Sequence, residues 1–156
     1  MAKLVDEGRK APPFSLATDG GGKVSLGDFA GSPLILYFYP KDDTAGCTRE
    51  AADFSAAAAK FKKLGISVVG VSKDSVAAHD KFKAKHKLKV ALASDPDGSV
   101  IDSYGSWIEK SMYGRKYMGI DRSTFLIDSK GKIARIWRKV RVPGHVEEVL
   151  EAAQDL

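Results

Sequence analysis

The sequence predicts an α/β fold in which a mixed β-sheet carries helices on both faces, with a β-hairpin at its start. Three observations predict it. Two apolar runs, LILYFY (34–39) and ISVVGVS (66–72), read as strands buried on both faces. The alanine-rich segment between them repeats apolar residues at helical spacing, which makes a strand–helix–strand unit. A chain of 156 residues suits one domain, over residues 1–156, and leaves little room for two.

The elements follow in order. FSLA (14–17) and KVSL (23–26) flank TDGGG and read as a hairpin with a glycine-rich turn. Gly31-Ser32-Pro33 breaks the chain before the first buried strand. A helix is expected from about Thr44, with Ala51, Phe54, Ala58, Phe61 and Leu64 on its buried face and Gly65 as its stop. The second buried strand follows, and Asp74 is expected to cap a helix from about Ser75 to His86, with Phe82 facing inward. DPDG (95–98) is a turn and 99–103 a short helix. YGSWIEKSMYGRKYMGI, rich in glycine and aromatics, has no clear period. STFLIDSKGKIARIWR reads as two strands about Ser129-Lys130-Gly131. After Gly144 comes a last helix with Val146, Val149, Leu150 and Ala153 as its apolar stripe. This order of elements is thioredoxin-like.

Composition narrows the function. Hydrophobic residues make up 44% and charged residues 29%, ordinary for a globular protein. No apolar run approaches the ~20 residues of a membrane span. MAKLVDEGRK lacks an apolar signal core, so a cytoplasmic protein is expected. The net charge of +5 owes much to KFKAKHKLK (81–89), which reads as a solvated helix end. A nucleic-acid surface would want arginines and aromatics on one face. Neither nucleic acid nor membrane is therefore expected as a partner.

Cys47 is the only cysteine, so no disulfide can form within the chain. It could be an inert buried thiol, an intermolecular bridge, a metal ligand or a nucleophile. The three histidines, His79, His86 and His145, have no ligand-type spacing to it, and no metal is expected. Its place is informative. If Thr44 caps the helix, then Ala45, Gly46 and Cys47 form the first turn, where amides lack helical partners and the macrodipole is positive. Such a setting lowers a thiol pKa from about 8.5 into a range of roughly 3.5–7.5, and only the thiolate is a competent nucleophile. Gly46 removes bulk beside the sulfur. The crevice beyond the carboxyl ends of parallel strands is where α/β proteins place their sites. Many lone cysteines are merely small buried hydrophobes. The polar surroundings, KDDTAGCTRE, argue against that here.

Pro40, Thr44 and Cys47 match the Pro-x-x-x-Thr-x-x-Cys motif of the peroxiredoxins. FYPKDDTAGCT, together with YGSWIEKSMYGRKYMGIDRSTFLID, SDPDG and IARIWRKV, resembles the subfamily called bacterioferritin comigratory protein or peroxiredoxin Q. The resemblance runs from about Leu4 to Leu150. It implies a thiol peroxidase that reduces hydrogen peroxide and alkyl hydroperoxides with no metal, flavin or haem. Cys47 is then the attacking thiolate, and Thr44 offers its hydroxyl to thiolate and peroxide. Arg122 holds the charge, Pro40 shields the sulfur, and the amides of Gly46 and Cys47 bind peroxide oxygens. Glu50 either positions an arginine or is a solvated charge beside Arg49 and Asp53. Trp107 and Tyr113 either line a substrate mouth or simply pack. Many members of the subfamily carry a second, resolving cysteine at the position of Ala52 or near Lys83, and this chain has neither. Ala52 suits a natural one-cysteine member or an engineered replacement equally. The oxidised thiol must then be reduced by an outside one: glutathione, thioredoxin or a glutaredoxin. The subfamily likeness points to a monomer. A peroxide sensor that oxidises once and hands its state to a partner is the alternative to a turning-over enzyme.

Overall fold

The computed structural model describes residues 5–156; Leu4, where the resemblance begins, and the three residues before it lie outside the described residues. Among the described residues, nine strands and four α-helices follow in the order β1 Ser15–Thr18, β2 Lys23–Ser25, β3 Leu34–Phe38, α1 Ala45–Lys63, β4 Ser67–Ser72, α2 Val76–His86, β5 Ala91–Ser94, α3 Ser99–Ser103, β6 Trp107–Met112, β7 Arg115–Ile120, β8 Ser123–Ile127, β9 Ile133–Trp137 and α4 His145–Gln154. Seven strands form one mixed sheet in the order β2-β1-β5-β4-β3-β8-β9, and β6 and β7 pair separately. β3, β4 and β5 run parallel, and β8 returns antiparallel to β3.

The two apolar runs behave as their composition dictates. Every residue of β3 is buried, and alternate side chains enter opposite cores. Leu34, Leu36 and Phe38 join Val69, Val71, Ile101, Tyr104 and Phe125 on one face. Ile35, Tyr37 and Tyr39 join Phe54, Phe61, Phe82, Leu126 and Val149 on the other. Helices α1, α2 and α4 cover the second face, and the short α3 sits on the first. The thioredoxin-like α/β arrangement expected from the order of elements is therefore present.

Four details differ from the expectation. Leu64 is the C-terminal cap of α1 rather than part of its buried stripe, and is 40% exposed. Asp74 does not cap α2: the Ser75 hydroxyl accepts from the Ala78 amide at 3.1 Å, while Asp74 takes the Ser72 hydroxyl and the Asp42 amide. β5 carries no sequence signal, because ALAS lacks the β-branched and aromatic residues that mark strands; its partner β4 imposes the extended form. The stretch without a period is the β6–β7 hairpin. Its turn, Tyr113-Gly114, has φ of 52° and 78°, which is the type I′ pattern. Only its base, Trp107 paired with Ile120, packs on the core, while Met112, Tyr117 and Met118 are exposed, so no buried face shows in the sequence.

One close approach inside the sheet fixes a residue. Tyr37 on β3 lies beside Gly70 on β4, and its ring stacks on Phe54 of α1 with centroids 4.6 Å apart. A Cβ at Gly70 would meet the Tyr37 Oη and Cζ at 2.7 and 2.6 Å. Gly70→Ala should therefore overpack the face that carries α1 and cost about 2 kcal/mol or more. The midpoint of urea unfolding checks this; an unchanged midpoint would mean that the ring moves freely.

Candidate active site

The site forms where β3 leaves the sheet and α1 begins. Thr44 stands at the N-cap position with extended backbone, φ −89° and ψ 156°. Its hydroxyl does not cap the helix. It donates to the Lys41 carbonyl at 2.8 Å, so its one proton is engaged within the loop. No side chain takes an amide of the first turn, which leaves that end of α1 with its partial positive charge. Cys47 projects from this turn into the core and is 1% exposed.

Arg122 reaches the sulfur because of strand register. β8 pairs with β3 so that Ser123 lies opposite Phe38, at the exit of β3. The residue just before β8 therefore arrives beside the entry of α1. The guanidinium Nη2 donates to Cys47 Sγ at 3.2 Å, and Nη1 donates to Glu50 Oε1 at 2.6 Å. Glu50 sits one turn after Cys47 on the same face of α1 and is fully buried. Glu50 is therefore not a solvated charge: it is buried and bonded to Arg122. Gly46 has a reason that the sequence did not reveal. A Cβ there would lie 3.1 Å from Arg122 Nη2, so the missing side chain makes room for the guanidinium.

The electrostatics follow from burial. Burial pushes the Glu50 carboxyl up to about 7; the charge and hydrogen bond of Arg122 pull it down by less. Glu50 Oε2 and the Tyr37 hydroxyl have no hydrogen-bond partner among the described residues. The Tyr37 phenol is held far above its ordinary range, first by burial and then by the charges of Glu50 and Cys47. Burial lowers Arg122, but Glu50 and Cys47 raise it by more, so the guanidinium stays charged. His145, which carried no role in the sequence, lies nearby with Nε2 2.8 Å from Thr124 Oγ1. Burial, helped by the charge of Arg122, lowers its imidazole to about 4, so it is neutral and does not compete as a cation.

The other expected residues make no hydrogen bond to Cys47 or Arg122 among the described residues. Pro40 is exposed where β3 ends, and Thr44 is exposed at the helix entry. Trp107 packs on the opposite core, with the Lys73 ammonium 4.7 Å from its ring, and Tyr113 is 98% exposed at the hairpin tip. Ala52 is exposed on α1, and Lys83 pairs with Asp19 at 2.8 Å.

Residues 8–136 match the AhpC/TSA family. The chain is 51% identical over 146 residues to the putative peroxiredoxin bcp of Coxiella burnetii, covering 94% of this chain and 97% of that one. It is 44% identical over 152 residues to peroxiredoxin Bcp of Bacillus subtilis, covering 97% of each. A serine variant of PrxQ from Xylella fastidiosa superposes with a TM-score of 0.93 at 37% identity, covering 99% of this chain and 98% of that one. Fold, buried thiol and likeness together define a thiol-dependent peroxidase on a thioredoxin-like frame. The chain belongs to the AhpC/TSA family, and its relatives there are peroxiredoxins of the Bcp, or peroxiredoxin Q, kind. Its single cysteine fits a one-cysteine cycle.

Glu50 has a measurable consequence. Its folded-state carboxyl keeps a proton that the unfolded chain, with an ordinary value of 4.5, gives up earlier. The stability it contributes is therefore present below 4.5 and is lost as pH rises to about 7, by about 3 kcal/mol. Glu50→Gln, which cannot ionise, should flatten that fall. Urea unfolding at the two ends of the window checks it, and an equally steep decline in the variant would place the ionisation elsewhere.

Proposed function

We propose that the Cys47 thiolate attacks the terminal oxygen of hydrogen peroxide or an alkyl hydroperoxide. The sulfur–oxygen bond forms as the oxygen–oxygen bond breaks. Sulfur is oxidised to the sulfenic acid, and the departing hydroxide or alkoxide takes up a proton to leave as water or alcohol. Charge moves from sulfur to the leaving oxygen, so donors fixed beside both atoms lower the barrier. Arg122 supplies them as a rigid fork already aimed at the sulfur. The free amides of Gly46 and Cys47 add to it. Thr44, whose proton is given to Lys41, keeps lone pairs with which to accept the hydroperoxide O–H. Pro40 shields the approach, and Glu50 keeps the guanidinium from swinging away. The observation that carries this reading is the Arg122 bridge between Cys47 and Glu50.

The second half of the cycle needs a thiol from outside. One thiol condenses with the sulfenic acid and releases water, leaving a mixed disulfide; a second thiol displaces Cys47 and leaves as the disulfide. Glutathione, a glutaredoxin and thioredoxin all have the required chemistry. The subfamily likeness leads us to propose a monomer, one domain over residues 1–156, at work in the cytoplasm. No helix among the described residues is long and apolar enough to cross a membrane.

Cys47→Ser should abolish peroxide consumption, and Arg122→Met should slow Cys47 oxidation by about a hundredfold or more. Stopped-flow kinetics checks both. Unchanged rates in the arginine variant would remove Arg122 from the site. Mass spectrometry of peroxide-treated protein with each thiol should show an adduct at Cys47 that forms and is then released. A single stoichiometric oxidation without release under any thiol would favour the sensor.

A further inference from the structure

A second buried ion pair lies next to the site, and the chemistry above does not use it. His79, in the first turns of α2, is completely buried, and both ring nitrogens face acceptors. Nε2 lies 2.9 Å from the Ala93 carbonyl on β5, and Nδ1 lies 2.6 Å from Asp42 Oδ2. A carbonyl can only accept, so Nε2 carries a proton. The other Asp42 oxygen receives the Tyr39 hydroxyl at 2.6 Å, and the Asp42 amide donates to Asp74 Oδ2 at 2.8 Å. A carboxylate also only accepts, so the 2.6 Å contact with Asp42 puts a proton on Nδ1 as well. His79 is therefore an imidazolium.

Its partner sits in the loop that matters. Asp42 lies between Pro40 and Thr44, and the next residue, Asp43, holds a left-handed φ of 60°. Asp43 is tied to α2 as well, through Lys85 Nζ at 2.7 Å and His86 Nε2 at 2.8 Å. A strained, exposed loop is thus fastened at two successive residues to one helix. A buried ion pair is weak evidence for stability, because desolvation offsets the attraction. Fixing one arrangement is the use it serves here.

We propose that His79 is a positioning residue for peroxide reduction: clamped as an imidazolium between Asp42 and the Ala93 carbonyl, it holds the Pro40–Thr44 loop against α2 and β5. The clamp rests on the reading of Cys47 and Thr44 given above. It makes the reaction pH-dependent. The groups facing His79 are Asp42 from the loop, Tyr39 from the end of β3, Asp74 from the β4–α2 turn and the Ala93 carbonyl of β5. Burial lowers the imidazole, but the Asp42 hydrogen bond and charge, the carbonyl and the charge of Asp74 together raise it above its ordinary value. Tyr39, raised first by burial, stays a phenol. The clamp is whole below the ordinary histidine value of about 6.5 and is lost as pH rises through the higher folded value. Beyond it, a bare Nδ1 lone pair faces a carboxylate and the loop slackens.

Three measurements test this. Nitrogen-15 NMR of the wild type at pH 7 should show both ring nitrogens of His79 protonated. The second-order rate of Cys47 oxidation by hydrogen peroxide should fall on an alkaline limb whose midpoint matches the loss of that second proton. His79→Gln should oxidise about tenfold more slowly at pH 7 and lack the limb, since a small misplacement of reacting groups has effects of that order. A neutral His79 at pH 7, midpoints that differ, or a glutamine variant with the wild-type rate and profile would each overturn the proposal. Where the variant does not fold, the two wild-type midpoints decide alone. Peroxide consumption that survives Cys47→Ser would overturn the site reading itself, and the clamp with it.

Discussion

The guanidinium of Arg122 is the constraint around which the rest is arranged. It sits where three groups compete for one place: a thiol at a helix entry, a buried carboxylate one turn further on, and a glycine whose missing side chain lets the fork in. None of these is close to Arg122 in sequence. They meet because β8 runs antiparallel to β3 in a register that sets Ser123 against Phe38. A slip of one residue would turn Phe125 and Ile127 out of one core and carry Arg122 away from the sulfur. The hydrophobic pattern of two strands thus aims a cation at a nucleophile.

What could be read from the sequence depended on whether the signal was local. The buried strands announced themselves, as did α1, its stop at Gly65, and the thiol in its first turn. Glu50 did not, because a helical glutamate beside Arg49 and Asp53 looks like any solvated charge until β8 brings an arginine across. Gly46 suggested only less bulk beside the sulfur, and its tighter reason, the guanidinium 3.1 Å from the place of a Cβ, is a distance between segments far apart in the chain. Ser75 and Asp74 are both good caps by type; the choice between them lay in the competing pull of Ser72 and the Asp42 amide on Asp74. His145 and His79 carry no pattern at all. Each is defined by what it faces: a threonine hydroxyl for one, a carboxylate and a carbonyl for the other.

Two buried charge clusters therefore bracket the start of α1. Arg122 and Glu50 lie on the side of β8, Asp42 and His79 on the side of β5. Both are costly to desolvate, and neither needs to be stabilising to be retained. What each fixes is the position of a side chain: Arg122 against Cys47 in one, Asp42 against α2 in the other. The aromatic packing between them is of the same kind. Tyr37 stacks on Phe54 and Tyr39 donates to Asp42, so the core beneath the site is continuous with both clusters.

The lone thiol gives this rigidity its sense. A resolving cysteine at the place of Ala52 would stand five residues from Cys47 on α1, about 7.5 Å along the axis and about 140° around it. A disulfide needs Cα atoms within about 7 Å and Cβ vectors that converge, so such a helix must unwind in every cycle. A partner near Lys83 would ask the same of α2. In this chain neither helix has a thiol to deliver. α2 is free to be fastened, and it is: to Asp42 through His79, to Asp43 through Lys85 and His86, and to Asp19 through Lys83. Cys47 is almost fully covered, so an outside thiol reaches the oxidised sulfur only when the cover over it yields. The burial that holds the thiol in one place therefore also sets how readily the oxidised sulfur is reached.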